Sequence, residues 1–158
     1  LSCTFDDLKD LAQFWEDIAD QNSKRFSENI LRKLFTLNYA PNSMWNYFIS
    51  VYYMANRNKN GDLNAKEFEI FLDRTIAFIW GYAIIHPGVN ALRTPLFAEM
   101  LNIINLNEVT FSEFKFNKEK TRSAIVIYDF KNGRPITKSM LALRMMLNNE
   151  QVLPKLST

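Results

Sequence analysis

The chain has 158 residues, about the size of one domain, and its 47% hydrophobic and 14% aromatic content excludes an intrinsically disordered protein. With only 4 glycines and 5 prolines, it is predicted to form helices joined by few loops rather than a turn-rich β fold. The net charge of +2 gives no global reason to expect a nucleic-acid partner, and the single cysteine, Cys3, excludes an internal disulfide.

Three helices are predicted before the middle of the chain. The first begins at a capping box formed by Thr4 and Asp7 and ends near Asn22. The second runs from Ser23 to Leu37. The third covers residues 43–55 and is so aromatic that it should lie against the helix that follows.

The helix predicted from Asn64 to Ile85 is the central one. Asn64 can cap it, with Glu67 returning the hydrogen bond in a capping box, and the residues after His86 stop it. From Ile76 onward its opposite face is also apolar, so this helix should be surrounded by protein. Its apolar run of about ten residues is too short for a membrane span of about 20. The residues predicted to face inward are Phe68, Phe71, Leu72, Thr75, Ile76, Ile79, Trp80 and Ala83.

The last third of the chain is less regular. A helix starting at Thr94 and Pro95 is predicted to end near Asn105, with helical spacing at Leu96, Met100, Leu101 and Ile104. Residues 107–120 are compatible with a short strand or a loop, because Phe111, Phe114 and Phe116 alternate with polar residues. Residues 123–130 suit either a strand or a helix, and we favour a helix. Thr137 caps a final predicted helix with Met140, Leu141, Leu143 and Leu147.

Residues 56–67, NRNKNGDLNAKE, match the spacing of an EF-hand calcium loop. They place asparagine at positions 1, 3 and 5, Gly61 at position 6 and Glu67 at position 12. The charges argue against calcium, because position 1 is Asn56 rather than aspartate and basic side chains outnumber acidic ones. We therefore favour a polar turn between two helices.

No arrangement of residues in the sequence predicts a catalytic or metal site. His86 is the only histidine, and with Cys3 far away in the sequence it cannot form a zinc cluster. Glu69 and Asp73 could serve in acid–base chemistry, but carboxylates scattered on a helix are more often solvated, and Asp73 could equally pair with Arg74. We predict no catalytic residue, no metal and no cofactor.

A run of basic residues stands out late in the chain. It is interrupted by Glu119 and Asp129 and has aromatic residues beside it, a combination that suits contact with a phosphate backbone. A solvated charged face is the simpler interpretation, and both stay open. The residues concerned are Lys115, Lys118, Lys120, Arg122, Lys131, Arg134 and Lys138.

Two stretches of the sequence, taken in their order along the chain, together resemble part of a known protein family. They are residues 71–104, FLDRTIAFIWGYAIIHPGVNALRTPLFAEMLNII, and residues 121–158, TRSAIVIYDFKNGRPITKSMLALRMMLNNEQVLPKLST. Together they resemble the helical region of the GmrSD-like family of bacterial proteins. Ile136, Thr137 and Lys138 fit a helix start in that family, and residues 150–158 resemble the lead-in to its nuclease motif.

The family is similar to modification-dependent restriction enzymes. In it, a ParB-like domain precedes the helical region and an HNH-type nuclease domain follows, so the resemblance implies a connecting domain. The Asp-Gly-Gln-Gln-Arg motif of the first domain and the Glu-His-Ile motif of the nuclease are both absent from this sequence. No catalytic or nucleotide-binding residue is therefore carried over.

We predict a single, mainly α-helical domain over residues 1–158, an irregular multi-helix bundle around the central helix. Its expected role is a non-catalytic scaffold that positions flanking domains and contacts DNA. The alternative is a freestanding helical module that binds a protein partner. Because the sequence starts at Leu1 without a methionine, we expect a piece of a longer protein. The lone cysteine and the lack of a signal peptide favour a reducing cytoplasm.

Overall fold

The computed structural model describes residues 3–40, 42–86, 90–112, 114–115 and 117–127. These residues form six α-helices and no β-strand, which confirms the predicted mainly α-helical bundle. The helices are α1 (Phe5–Ala19), α2 (Glu28–Leu37), α3 (Met44–Asn56), α4 (Ala65–Ile85), α5 (Arg93–Ile104) and α6 (Lys118–Ile127). α3 packs against α5 and α1, and α4 packs against α2 and α6. None of these six helices is long and apolar enough to cross a membrane.

Side-chain caps set where α1 and α2 begin. The predicted capping box of α1 is present, because Thr4 N–H donates to Asp7 Oδ2 at 2.7 Å and Asp7 N–H donates to Thr4 Oγ1 at 3.2 Å. The prediction that α2 begins at Ser23 is wrong, since the helix begins at Glu28. Ser27 supplies its cap by accepting a backbone N–H of the first turn at 3.3 Å. The residues between α1 and α2 form a turn instead.

The central helix α4 begins and ends where the sequence predicts. Asn64 Oδ1 accepts the N–H groups of Lys66 at 3.1 Å and Glu67 at 3.2 Å. Among the described residues, Glu67 makes no return bond to the Asn64 N–H, so only half of the predicted capping box forms. The helix ends at Ile85. All the residues predicted to face inward are buried: Phe68, Phe71, Leu72, Thr75, Ile76, Ile79, Trp80 and Ala83.

The described residues enclose the opposite face of α4 only in part. Its apolar residues after Ile76 led us to expect protein on all sides. Helices α2 and α6 cover part of the surface, but Phe78, Tyr82 and Ile85 are only half-buried. Phe111 stacks on Phe78 and Phe114 meets Tyr82 edge-on, so the described residues enclose this face in part.

Aromatic side chains build the core where α1, α3 and α4 meet. Phe14 stacks on Tyr53 with 4.2 Å between ring centroids. On α4, the ring of Phe71 lies 5.0 Å from Phe48 and 3.8 Å from Tyr52. Such pairs add about 0.5–1.5 kcal/mol beyond the apolar area they bury. The aromatic helix α3 therefore lies against α4, as predicted.

Beyond α5, the structure decides between the interpretations left open for residues 107–130. The described residues from 107 to 117 form turns without a strand, so the loop is confirmed there, whereas residues 118–120 belong to α6. α6 reaches Ile127, the last described residue, which confirms the helix over residues 123–127. Phe116, residues 128–130 and the final helix predicted from Thr137 lie outside the described residues.

Candidate functional site

The loop between α3 and α4 folds as a closed polar turn. Asn58 Oδ1 accepts the backbone N–H groups of Asn60 at 2.8 Å and Asp62 at 3.0 Å, so this oxygen faces its own loop. Gly61 has a φ of 79°, a left-handed conformation that glycine adopts without a steric penalty. Within the described ranges, no group of three or more His, Cys, Asp or Glu side chains could hold a metal ion. This geometry favours the polar turn over a calcium site.

Arg25 ties this loop to the turn between α1 and α2. Its Nη2 donates to the Gly61 carbonyl at 2.6 Å, and the same carbonyl accepts Tyr53 Oη at 3.0 Å. Arg25 also forms an ion pair with Asp17 on α1. Hydrogen bonds from Asn22 first and Arg25 second hold the pKa of Asp17 below its ordinary value. The cluster is structural, because its charges are used to join two loops.

The carboxylates considered for acid–base chemistry bind a lysine instead. Lys33 Nζ on α2 lies 2.9 Å from Glu69 and 2.8 Å from Asp73, both on α4. Burial opposes the charge of Lys33, but hydrogen bonds from its ammonium to Asp73 and Glu69 outweigh that effect and raise the pKa of Lys33. Arg74 pairs with Glu108 at 2.6 Å, so the predicted alternative of an Asp73–Arg74 pair is wrong. These carboxylates fasten α2 to α4.

Four of the seven predicted basic residues lie in the described part of the chain. All four are exposed, and none forms an ion pair with another described residue. Two of them, Lys118 and Arg122, are one turn apart and share a face of α6. The four are Lys115, Lys118, Lys120 and Arg122. The other three, outside the described residues, are Lys131, Arg134 and Lys138.

A cleft of about 910 Å³, here termed the aromatic groove, runs between the second half of α4 and residues 108–115. Phe78 stacks on Phe111 with 4.2 Å between ring centroids, and Tyr82 meets Phe114 edge-on at 5.5 Å. Clefts of this size and lining are typical of sites that bind an apolar ligand or segment. Its aromatic and aliphatic wall residues are Phe78, Tyr82, Ile85, Phe111 and Phe114, and its polar lining includes Arg74, His86, Glu108 and Lys115.

One buried carboxylate shapes the loop side of this groove. Glu99 on α5 is only 2% exposed, and it accepts Phe111 N–H at 2.9 Å and Thr110 N–H at 3.3 Å. Phe111 has a φ of 51°, which is costly for a residue with a bulky side chain, so an external constraint has to maintain it. Sequence reasoning missed Glu99. The available signal was a charged residue at helical spacing from Leu96 and Ile103, which are buried.

The outer face of α5 carries a row of exposed apolar side chains. Phe97, Leu101 and Ile104, here termed the α5 stripe, are 58%, 45% and 41% exposed. They lie about one helical turn apart and therefore form one strip. The inner face of the same helix is buried, and α5 packs against α3. A helix that is apolar on both faces is normally enclosed by protein on both.

No family model, curated protein or solved structure matches this chain. The resemblance to the GmrSD-like family therefore remains a prediction that rests on residues 71–104 and 121–158. The α5 stripe, the aromatic groove and the exposed basic residues are the surfaces from which a function can be argued.

Proposed function

We propose that this chain is a non-catalytic helical scaffold, the connecting domain of a GmrSD-like protein of the modification-dependent restriction type. The observation that carries the proposal is the α5 stripe. Three large apolar side chains in a row on the outside of a packed helix form the kind of surface that one domain offers to the next. Covering such a surface stabilises a contact by about 25 cal/mol for each Å² buried. The stripe thus supports a role in positioning flanking domains, and the lone cysteine supports placing the protein in the cytoplasm.

The alternative function is a freestanding helical module that binds a separate protein. The same stripe supports it, because an apolar strip suits a partner chain as well as a neighbouring domain. The gene distinguishes the two. A reading frame that continues past Thr158 into a Glu-His-Ile motif favours the connecting domain, and a frame that ends there favours the module.

Changing Phe97 and Leu101 to serine tests the scaffold. In the isolated chain we expect a change of about 0.5 kcal/mol or less in the free energy of unfolding, because both side chains are exposed. In the whole protein we expect faster proteolysis at the domain boundary, because the covering contact is weakened. Tyr47→Ser, at an exposed position on α3, is the matched control. Unchanged proteolysis of the whole protein would contradict the connecting role.

The proposal includes DNA contact through the basic residues of α6. Changing Lys118, Lys120 and Arg122 to glutamine should weaken binding to a labelled duplex in a fluorescence-anisotropy titration. If all three neutralise phosphates, the slope of log K against log salt should fall by about 2–3. A control with the same charge change replaces three exposed lysines elsewhere: Lys24, Lys59 and Lys66. If the unaltered chain fails to bind at low ionic strength, the DNA contact is disproved and the scaffold role stays untouched.

A further inference from the structure

The aromatic groove is only partly covered by the described residues. The length of α4 that borders it, from Arg74 to Ile85, is about 18 Å. Its aromatic rings contact one another, and the His86 ring lies 4.5 Å from Tyr82 between centroids. The groove therefore offers a long wall along one side of the central helix in which the rings of Phe78, Tyr82 and His86 alternate with small and aliphatic residues.

The chain that follows α6 continues from a helix that packs against α4, the helix that borders this groove. The last described residue of α6 is Ile127, and the loop before α6 forms the opposite wall of the groove. Residues 128–136 reach up to about 30 Å when extended, which is longer than the groove. The next segment is therefore tethered within reach of the whole groove, at an effective concentration in the millimolar range.

The sequence of that segment matches the groove in length and chemistry. Residues 137–147 span about 16 Å as the helix that their spacing predicts. The segment contains three methionines and three leucines within TKSMLALRMML. Thioether groups make favourable contacts with aromatic rings, and methionine adapts to irregular gaps. A groove with aromatic walls is a surface that suits such a segment.

We propose that residues 137–147 of this chain bind in the aromatic groove, along α4 and against Phe78, Tyr82 and Phe114. The docked segment covers the face of α4 that the other helices leave half-buried, as the all-round apolar sequence of α4 requires. The groove is then part of the domain core rather than a site for a diffusible ligand. The docking does not depend on the proposed scaffold role or on DNA contact.

Photo-cross-linking in the full chain tests this docking. Tyr82 is replaced by p-benzoylphenylalanine, which keeps an aromatic ring in the groove wall and reacts with neighbouring C–H groups under ultraviolet light. We expect mass spectrometry of the digested monomer to map the cross-links to residues 137–147. The same replacement of Tyr47, which is exposed and outside the groove, should give no cross-link to that segment.

A second set of variants shows that the cross-link reports docking. Changing Met140, Leu141 and Leu143 to serine should abolish the cross-links from Tyr82. If the replacement at Tyr82 unfolds the chain, as circular dichroism would reveal, the same photoreactive residue at Ala77 on the groove wall takes its place. Cross-links that map elsewhere in the chain, a covalent dimer of two copies, or no cross-link from a folded protein would each overturn the proposal.

Discussion

Trp80→Ala should lower the free energy of unfolding by about 3–5 kcal/mol, the usual cost of removing a large buried aromatic side chain. Trp80 is 6% exposed and lies on the inner face of the central helix. For a chain of this length, each kcal/mol lowers the melting temperature by about 2–4 °C. Chemical unfolding in guanidinium and a thermal melt followed by circular dichroism both measure the effect.

Two comparisons make this result specific. Asn56→Ala should change stability by about 0.5 kcal/mol or less, because Asn56 is exposed and its amide only donates to Tyr52 O at 2.9 Å. Trp80→Phe should cost less than Trp80→Ala, since Trp80 Nε1 is buried without a hydrogen-bond partner among the described residues. Phenylalanine removes that unpaired donor while keeping much of the ring. Equal, small losses from Trp80→Ala and Asn56→Ala would mean that the core lies elsewhere.

Glu99→Ala should lower the free energy of unfolding by about 2–4 kcal/mol. The change leaves the buried N–H of Phe111 and the part-buried N–H of Thr110 without their acceptor, and a buried unpaired group costs about 1–3 kcal/mol. The loss should be concentrated in the loop, because Glu99 also maintains the left-handed conformation of Phe111. Hydrogen–deuterium exchange should show the amides of residues 110–112 losing protection before those of α4.

Glu16→Ala is the matched control for this prediction. Glu16 also lies within a helix, but its side chain is exposed, so we expect a change of about 0.5 kcal/mol or less. The loss in the free energy of unfolding for Glu99→Gln should lie between those for Glu99→Ala and Glu16→Ala, because the amide keeps one acceptor oxygen. Full protection of the Phe111 amide in Glu99→Ala would show that the loop is held by its aromatic packing rather than by the carboxylate.

Local patterns predicted most of the helices, and one helix start shows why they could fail. The caps at Thr4 and Asn64 act within three residues, so the sequence contains both partners. The start of α2 depends on Arg25, which binds Asp17 and the Gly61 carbonyl, 8 and 36 residues away. Those contacts favour a turn where the local sequence predicts a helix.

The candidate surfaces were only partly predictable. Exposure of Lys118 and Arg122 follows from their charge, because a lone charge is costly to bury. On α5, Leu96 and Leu101 both belong to the helical pattern of apolar residues that the sequence predicts. The structure nevertheless buries Leu96 and leaves Leu101 exposed. The difference depends on where α3 packs against α5. The spacing of residues within α5 carries no information about that packing.

The sequence by itself determined the inner face of α4, because that face follows from side chains three and four residues apart on one helix. Only the tertiary structure decided that the opposite face borders a groove, that Asp73 binds Lys33 rather than Arg74, and that Glu99 holds the loop at Phe111. The physical reason is the same for all three. Each contact joins segments distant in the chain, and the local sequence is compatible with several partners until packing places one of them within reach.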